Sequence, residues 1–263
     1  MPIDSQRRKD VFRLVPEGFL VTRNWLQSHD LSSHAIDNLL KSNQVTTVKN
    51  GVYKREGSIV EWADVVYFLQ RQERTDLTIG GITALELQKL AHYLSLSSRR
   101  SVHLYGKDQL PSWINRVTDY ASFQKHNVGH LLGHIVTDDL QERLYQFTKT
   151  FIWKKTNEGI RISIPERAIL EVLNQVPAQI SFEHADELMQ GLNTLSPRAL
   201  QQLLELFDNF KVRRLFFYLA ERQNHPWLAK LDTTKINFGS GNRMIVKGGR
   251  LNKKYQITVL ESY

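Results

Sequence analysis

The dipeptide Asn50-Gly51 lies between two β-prone runs, Gln44–Lys49 and Val52–Arg55, and constrains this chain more than any other feature. A two-residue hairpin turn of type I′ needs positive φ at both central residues, and Asn-Gly supplies this at little steric cost. A β-hairpin is therefore expected over residues 44–55. The residues before it break into short helices. One amphipathic helix is expected around Lys9–Val15, stopped near Pro16-Glu17-Gly18. Thr22 can cap a second, Arg23–His29, with Trp25 and Leu26 turned inward. After the break Asp30-Leu31-Ser32, Ser33 is the candidate cap of a third helix running through Ser42. Helix, helix, turn, helix, hairpin is the element order of a winged helix-turn-helix.

The third helix separates its residues by chemistry. With Ser33 at 0° and about 100° per residue, Ile36, Leu39 and Leu40 fall at about 300°, about 240° and about 340°. On the opposite side, Lys41, His34 and Asn38 fall at about 80°, about 100° and about 140°. One stripe buries against Trp25 and Leu26. The other offers an ammonium, an imidazole and an amide, groups that donate to base edges and phosphates in a major groove. Lys49, Asn50, Lys54 and Arg55 sit on the hairpin tip and return strand, where phosphates would meet a wing. With Thr22, Arg23 and Ser33 they complete the candidate DNA-binding set. A polar helix face is also what any solvated helix shows, so the case rests on the element order and the basic hairpin together.

Beyond Gly57 a helix is expected over roughly Glu61–Gln72. The polar stretch Arg71–Asp76, followed by Gly80-Gly81, marks a domain boundary. Ala84–Leu96 is amphipathic, and Ser101–Tyr105 and Gly159–Ile164 have strand character. Ser163-Ile164-Pro165-Glu166 opens a helix with proline in its first turn. Ser181 and Ser196-Pro197 open two more, near 182–190 and 197–208, and a further helix covers Val212–Arg222. Met244–Lys247 and Tyr255–Val259 read as strands joined by the loop 248–254. The expected fold class is α+β: a winged helix-turn-helix at 1–75, then a mixed helix and strand domain at 76–263.

Charge is unevenly spread. The chain has 263 residues and a net charge of +8. Residues 1–60 carry +3, residues 61–210 carry −3, and residues 211–263 carry +8. Two basic ends suggest a polyanionic partner. Arg213, Arg214, Lys247, Arg250, Lys253 and Lys254 form a second candidate surface, for nucleic acid or a protein partner. There are no cysteines, which excludes disulfides and thiol catalysis and fits a reducing cytoplasm. No apolar run approaches a membrane span, and no apolar stretch follows the basic N-terminus as a signal peptide would require.

Gly18–Tyr53, GFLVTRNWLQSHDLSSHAIDNLLKSNQVTTVKNGVY, resembles the winged-helix N-terminal domain of the AbiEi antitoxins. Gly80–Leu94 (GGITALELQKLAHYL), Val102–Gly106 (VHLYG) and Leu110-Pro111-Ser112-Trp113 resemble the start of that family's second domain. Ile164–Leu170 (IPERAIL) and Lys211–Leu219 (KVRRLFFYL) are similar to its later motifs. The likeness spans about residues 18–260. One departure is Ser42-Asn43-Gln44 leading into the wing, where glycine or an aromatic is expected. The resemblance implies an antitoxin that represses its own operon through the winged helix. It also implies neutralisation of a co-encoded nucleotidyltransferase-like toxin by means of the C-terminal domain. Such pairs are grouped as type IV, in which a stable toxin–antitoxin complex is not required.

A toxin of such a pair should carry Gly-Ser followed by Asp-x-Asp to hold metal for nucleotidyl transfer. Gly57-Ser58 and Gly239-Ser240 are present, but no acidic residue is followed two positions later by another. No Asp or Glu is followed two positions later by Lys, as a nuclease strand motif would require. His126, His130 and His134 are spaced as one helix face, with Asp138 and Asp139 nearby, and two such histidines can chelate zinc. Gly129 and Gly133 weaken that helix, and the His-Glu-x-x-His pattern is missing. The reading is therefore of packing histidines, with no metal, cofactor or catalytic residue expected. Gly239-Ser240-Gly241-Asn242-Arg243 reads as a loop before a strand. Trp113, Phe151, Trp153, Phe216 and Phe217 read as core. Two alternatives stay open: a stand-alone regulator whose second domain senses a ligand or dimerises, and a metal-dependent enzyme using the histidine row.

Overall fold

The computed structural model describes residues 14–91, 99–132, 137–153 and 159–260. The helix expected over Lys9–Val15 lies outside them except for Leu14 and the fully buried Val15. The first region begins with β1 (Leu20–Thr22), α1 (Arg23–Ser28) and α2 (Ser33–Lys41). It continues through β2 (Val45–Lys49), β3 (Val52–Arg55) and α3 (Trp62–Arg71). Thr22 caps α1, its hydroxyl accepting from Trp25 N at 3.0 Å. The cap of α2 is Ser32, which accepts from Ala35 N at 3.2 Å, and not Ser33. Ser32 has the extended backbone that a cap needs (φ −65°, ψ 156°), whereas Ser33 is already helical. Between the helices Asp30 takes φ 65°, a left-handed turn that aspartate tolerates better than most side chains.

The three strands form an antiparallel sheet in the order β1-β3-β2, with Val21 opposite Tyr53 and Thr46 opposite Lys54. The hairpin stands where Asn50-Gly51 requires it, but its turn differs from expectation. Only Gly51 has positive φ, at 82°, and the register of β2 on β3 slips between Thr47 and Lys49. An extra residue on one strand adds local right-handed twist, the service a type I′ turn would have performed. The outer edge of β1 is occupied by Gln72, just past α3. Its side chain donates to Leu20 O at 2.7 Å and accepts from Thr22 N at 3.1 Å.

The second region is built on a mixed sheet in the order β6-β5-β4-β8-β7. Its strands are β4 (Thr78–Ile79), β5 (Arg100–Gly106), β6 (Ala121–Asn127), β7 (Thr148–Phe151) and β8 (Ile160–Ser163). β5 runs parallel to β6, β4 runs parallel to β8, and the other two pairings are antiparallel. α4 (Gly81–Leu87) packs against α7 (Pro165–Gln175), which carries proline at its start as expected. Short α5 (Gly129–Leu132) and α6 (Asp138–Tyr145) precede β7. α8 (Phe182–Gln190), α9 (Pro197–Leu206) and α10 (Phe210–Arg222) follow, capped by Ser181, Ser196 and Asn209.

Two expectations for this region are corrected. The helix foreseen over Ala84–Leu96 begins at Gly81 and ends at Leu87, with Lys89 in a left-handed turn (φ 61°); residues 92–98 lie outside the described set. The C-terminal strands are β9 (Arg243–Met244), β10 (Arg250–Asn252) and β11 (Ile257–Val259), in the order β10-β11-β9. β9 and β11 are parallel, so 244–247 and 255–259 do not form a simple strand–loop–strand pair. The linking segment turns at Gly248 (φ 73°) and supplies β10, which pairs antiparallel with β11.

One apolar core runs from Leu20, Val52 and the inner face of α3 through the five-stranded sheet to Val259. A smaller one, Val15, Val21, Leu26, Ile36 and Tyr53, lies beneath α1 and α2. Phe216 and Phe217 are buried, while Trp113, Phe151 and Trp153 are partly buried against the main core. Among the described residues no helix is long and apolar enough to cross a membrane.

Candidate nucleic-acid interface

α2 divides as its sequence predicts. Ile36 and Leu39 are buried, Leu40 is half-buried, and His34, Asn38 and Lys41 are exposed. The side chains of these three exposed residues make no hydrogen bond among the described residues, so each keeps its donors for a partner. Three other members of the candidate set are engaged in the scaffold. The Arg23 guanidinium donates to Asp37 Oδ1 at 2.9 Å and to Ser33 O at 3.3 Å, tying α1 to α2. Ser33 Oγ accepts from Gln27 Nε2 at 2.9 Å, and the Thr22 hydroxyl is used in capping. These contacts fix the angle between the two helices. Trp25 is only half-buried and stacks on His29, with ring centroids 3.9 Å apart.

The hairpin presents Lys49 and Asn50 at its tip, both exposed. Lys49 Nζ lies 5.7 Å from the centroid of the Trp113 ring, so the tip rests on the second region. Lys54 Nζ donates to Ser58 O at 2.7 Å, and Arg55 faces Glu17 at 3.6 Å. The return strand thus turns part of its charge back onto the protein.

The C-terminal set separates into two kinds of residue. Arg213 and Arg214 are 4% and 1% exposed and do not line a surface, contrary to expectation. Arg213 donates to the carbonyls of Leu204 at 2.8 Å and Asn237 at 2.8 Å. Arg214 donates to those of Phe238 at 2.7 Å and Gly241 at 2.5 Å. Arginine stays charged when buried, and its planar fork suits the collection of carbonyls. Here the pair ties the 237–241 segment to α10. Lys247, Arg250 and Lys253 are exposed. Lys254 is exposed but pairs with Glu221.

The histidine row does not form one helix face. His126 lies on β6, an edge strand, His130 lies in the four-residue α5, and His134 is outside the described residues. His126 instead meets His103 of β5, with His103 Nδ1 and His126 Nε2 2.8 Å apart, and stacks on Tyr105 at 4.7 Å. Burial drives both imidazoles down to about 4, so they are neutral near pH 7. No motif in the sequence announced this pair, because it depends on the register of two strands joined by a long connection. His130 borders a polar groove of about 1190 Å³ with Lys125, Gln179, Lys211 and Arg243.

The fold is that of a mixed α+β protein with two regions. Residues 5–96 match the family model described as the AbiEi antitoxin N-terminal domain of a transcriptional regulator. Residues 99–260 match the model described as a transcriptional regulator, AbiEi antitoxin, of a type IV toxin–antitoxin system. The chain belongs to the AbiEi antitoxin family. Its fold is similar to the crystal structure of the RV2827C protein from Mycobacterium tuberculosis. That match has 15% identity and a TM-score of 0.56, and covers 96% of this chain and 89% of the other. No curated protein sequence matches significantly.

Proposed function

We propose that the first region is a winged helix-turn-helix that binds operator DNA of its own operon. In this reading α1 and α2 form the helix-turn-helix, and β2 and β3 form the wing. The single observation that carries it is the face of α2. His34, Asn38 and Lys41 are exposed with unspent side-chain donors, directly opposite the buried Ile36 and Leu39. Asn38 and Lys41 suit base edges, and Lys49 and Asn50 suit the flanking phosphates. The division runs near residue 75, with residues 76–263 serving the antitoxin role against a co-encoded nucleotidyltransferase-like toxin. The protein acts without a cofactor and not as an enzyme.

The test is binding of the full chain to a duplex spanning the DNA immediately upstream of its gene, against an unrelated duplex. The triple variant His34→Ala, Asn38→Ala, Lys41→Ala should keep its circular dichroism and lose preference for the upstream duplex. Each lost base contact costs about 1–3 kcal/mol. Undiminished preference in a folded triple variant would overturn the assignment of α2.

A further inference from the structure

We propose that the recess between the C-terminal end of α3 and the β7–β8 pair binds a small tetrahedral oxyanion, a phosphate that is free or ends a small monoester. The inference goes beyond the DNA-binding reading and does not depend on it. Arg71, Lys149 and Arg161 line the recess with Gln70, Thr148 and Thr150, around a volume of about 180 Å³. Among the described residues no aspartate or glutamate lines it. The strand register explains part of this gathering. Arg161 of β8 stands opposite Thr150 of β7, so their side chains share one face of the sheet, and Thr148 joins them two residues away. Gln70 ties α3 to β8, accepting from Arg161 N at 2.7 Å and donating to Arg161 O at 3.0 Å. Arg71, the next residue of α3, is exposed.

The half-buried Arg161 is preorganised by its neighbours. Its Nε donates to Thr78 Oγ1 at 3.1 Å and its Nη2 to Thr75 O at 3.2 Å, and the guanidinium lies 4.6 Å from the centroid of the Tyr145 ring. Nη1 keeps its N–H groups without an acceptor among the described residues. Burial holds this guanidinium below the ordinary arginine value, and the like charges of Arg167 and Arg71 act the same way, against Tyr145 and Asp76. Asp76 spends its two oxygens on Lys107 N at 2.7 Å and Asp108 N at 2.9 Å. Like charges gathered in a half-buried recess favour an anion between them. The donors are guanidinium and hydroxyl groups from α3 on one side and β7–β8 on the other. That spread suits an anion with oxygens on several sides better than a planar carboxylate, and charge-assisted bonds to arginine are strong. The volume lies below the roughly 300–1000 Å³ of sites for drug-sized molecules, so the recess takes a phosphate group and not a whole nucleotide.

The experiment titrates the full chain with inorganic phosphate at fixed ionic strength and follows line broadening by phosphorus NMR. Wild type should bind saturably, and acetate at equal concentration should not compete. Arg71→Gln should weaken binding about tenfold, the loss of one charge-assisted hydrogen bond. Arg161→Gln should abolish it. Because Arg161 also holds Thr75 and Thr78, the exposed Arg71 keeps the test valid if Arg161→Gln disturbs the fold. Arg143→Gln makes the same charge change at an exposed residue of α6 outside the recess and should leave binding as in wild type. Competition by phenyl phosphate assigns the recess to the end of a monoester, and its failure to compete assigns it to the free ion; either supports the proposal. No saturable binding by wild type, or undiminished binding in folded Arg71→Gln, would overturn it. So would equal losses in Arg71→Gln and Arg143→Gln, which would mean that only net charge is sensed. If wild type ignores phosphate while Arg71→Gln weakens binding of the upstream duplex, the recess serves DNA and the proposal falls.

Discussion

His103 on β5 and His126 on β6 point their ring nitrogens at each other across 2.8 Å, with the two rings within 5° of parallel. One N–H···N bond joins two neutral imidazoles, one donating and one accepting. Each is held to about 4, below the ordinary 6.5, chiefly by burial. The folded state therefore binds fewer protons than the unfolded state between those two values, so stability rises with pH there. The contribution is complete above about 6.5 and lost by about 4, at no more than about 1.4 kcal/mol per pH unit per imidazole. Glu171 acts with the opposite sign, because burial raises its carboxyl. Denaturant midpoints from pH 4 to 7 should climb, and more shallowly in His126→Gln. Identical pH curves for the two proteins would show that the pair is not the source.

Gly80-Gly81 is fixed by a carboxylate on another helix. Glu171 of α7 accepts from Gly81 N at 2.8 Å, Ser163 Oγ at 3.2 Å and Arg167 Nε at 2.7 Å, and both charged partners are fully buried. A Cβ at Gly80 would stand 2.8 Å from Glu171 Cδ and 2.5 Å from Tyr105 Cδ2. Gly80→Ala should cost about 1–3 kcal/mol through overpacking. Glu171→Ala leaves a buried guanidinium without its counter-ion and should cost about 3–5 kcal/mol. Urea unfolding at constant m-value measures both, and a Gly80→Ala protein as stable as wild type would mean that α4 shifts freely on α7.

Arg214 and Arg250 look alike in the sequence and should behave oppositely when changed to alanine. Arg214→Ala empties a fully buried site and strips the half-buried Phe238 and exposed Gly241 carbonyls of their donor, a combined loss of about 1–3 kcal/mol. Arg250 is exposed on the edge strand β10, so its loss should fall within about 0.5 kcal/mol. Equal melting temperatures for the two variants would contradict the clamp assigned to Arg214.

What was legible in the sequence is what local chemistry decides. Thr22 caps its helix, Ile36 and Leu39 turn inward, and Pro165 opens α7, because each depends on residues within one turn. The hairpin is legible for the same reason, whereas the bulge near Val48 has no local signal. Pairing across sequence distance was hidden. His126 has helix-compatible spacing to His130, yet β6 is held by the parallel β5, which shares its whole length. β4, only two residues long, gave no periodicity to read. Arg213 and Arg214 carry charge, which in sequence alone reads as surface. Their burial depends on backbone carbonyls more than twenty residues away, which no local pattern signals.

The exposed basic residues near the C-terminus can separate repression from rescue. Lys247, Arg250 and Lys253 are exposed, whereas Lys254 pairs with Glu221. Reversing Lys254 would set like charges together and confuse a local fold defect with a lost contact, so it is left intact. Lys247→Glu, Arg250→Glu and Lys253→Glu together change the local charge by six units without touching the buried Tyr255, Ile257 or Val259. Under the proposed division of labour, the first region alone reads the operator and the second opposes the toxin. The triple reversal should then impair rescue from the co-encoded toxin in growing cells more strongly than it impairs repression of an operator reporter. Circular dichroism and the melting temperature of the purified variant establish that it folds. If repression collapses while rescue is untouched, these cations serve DNA, and the second region contributes to operator affinity.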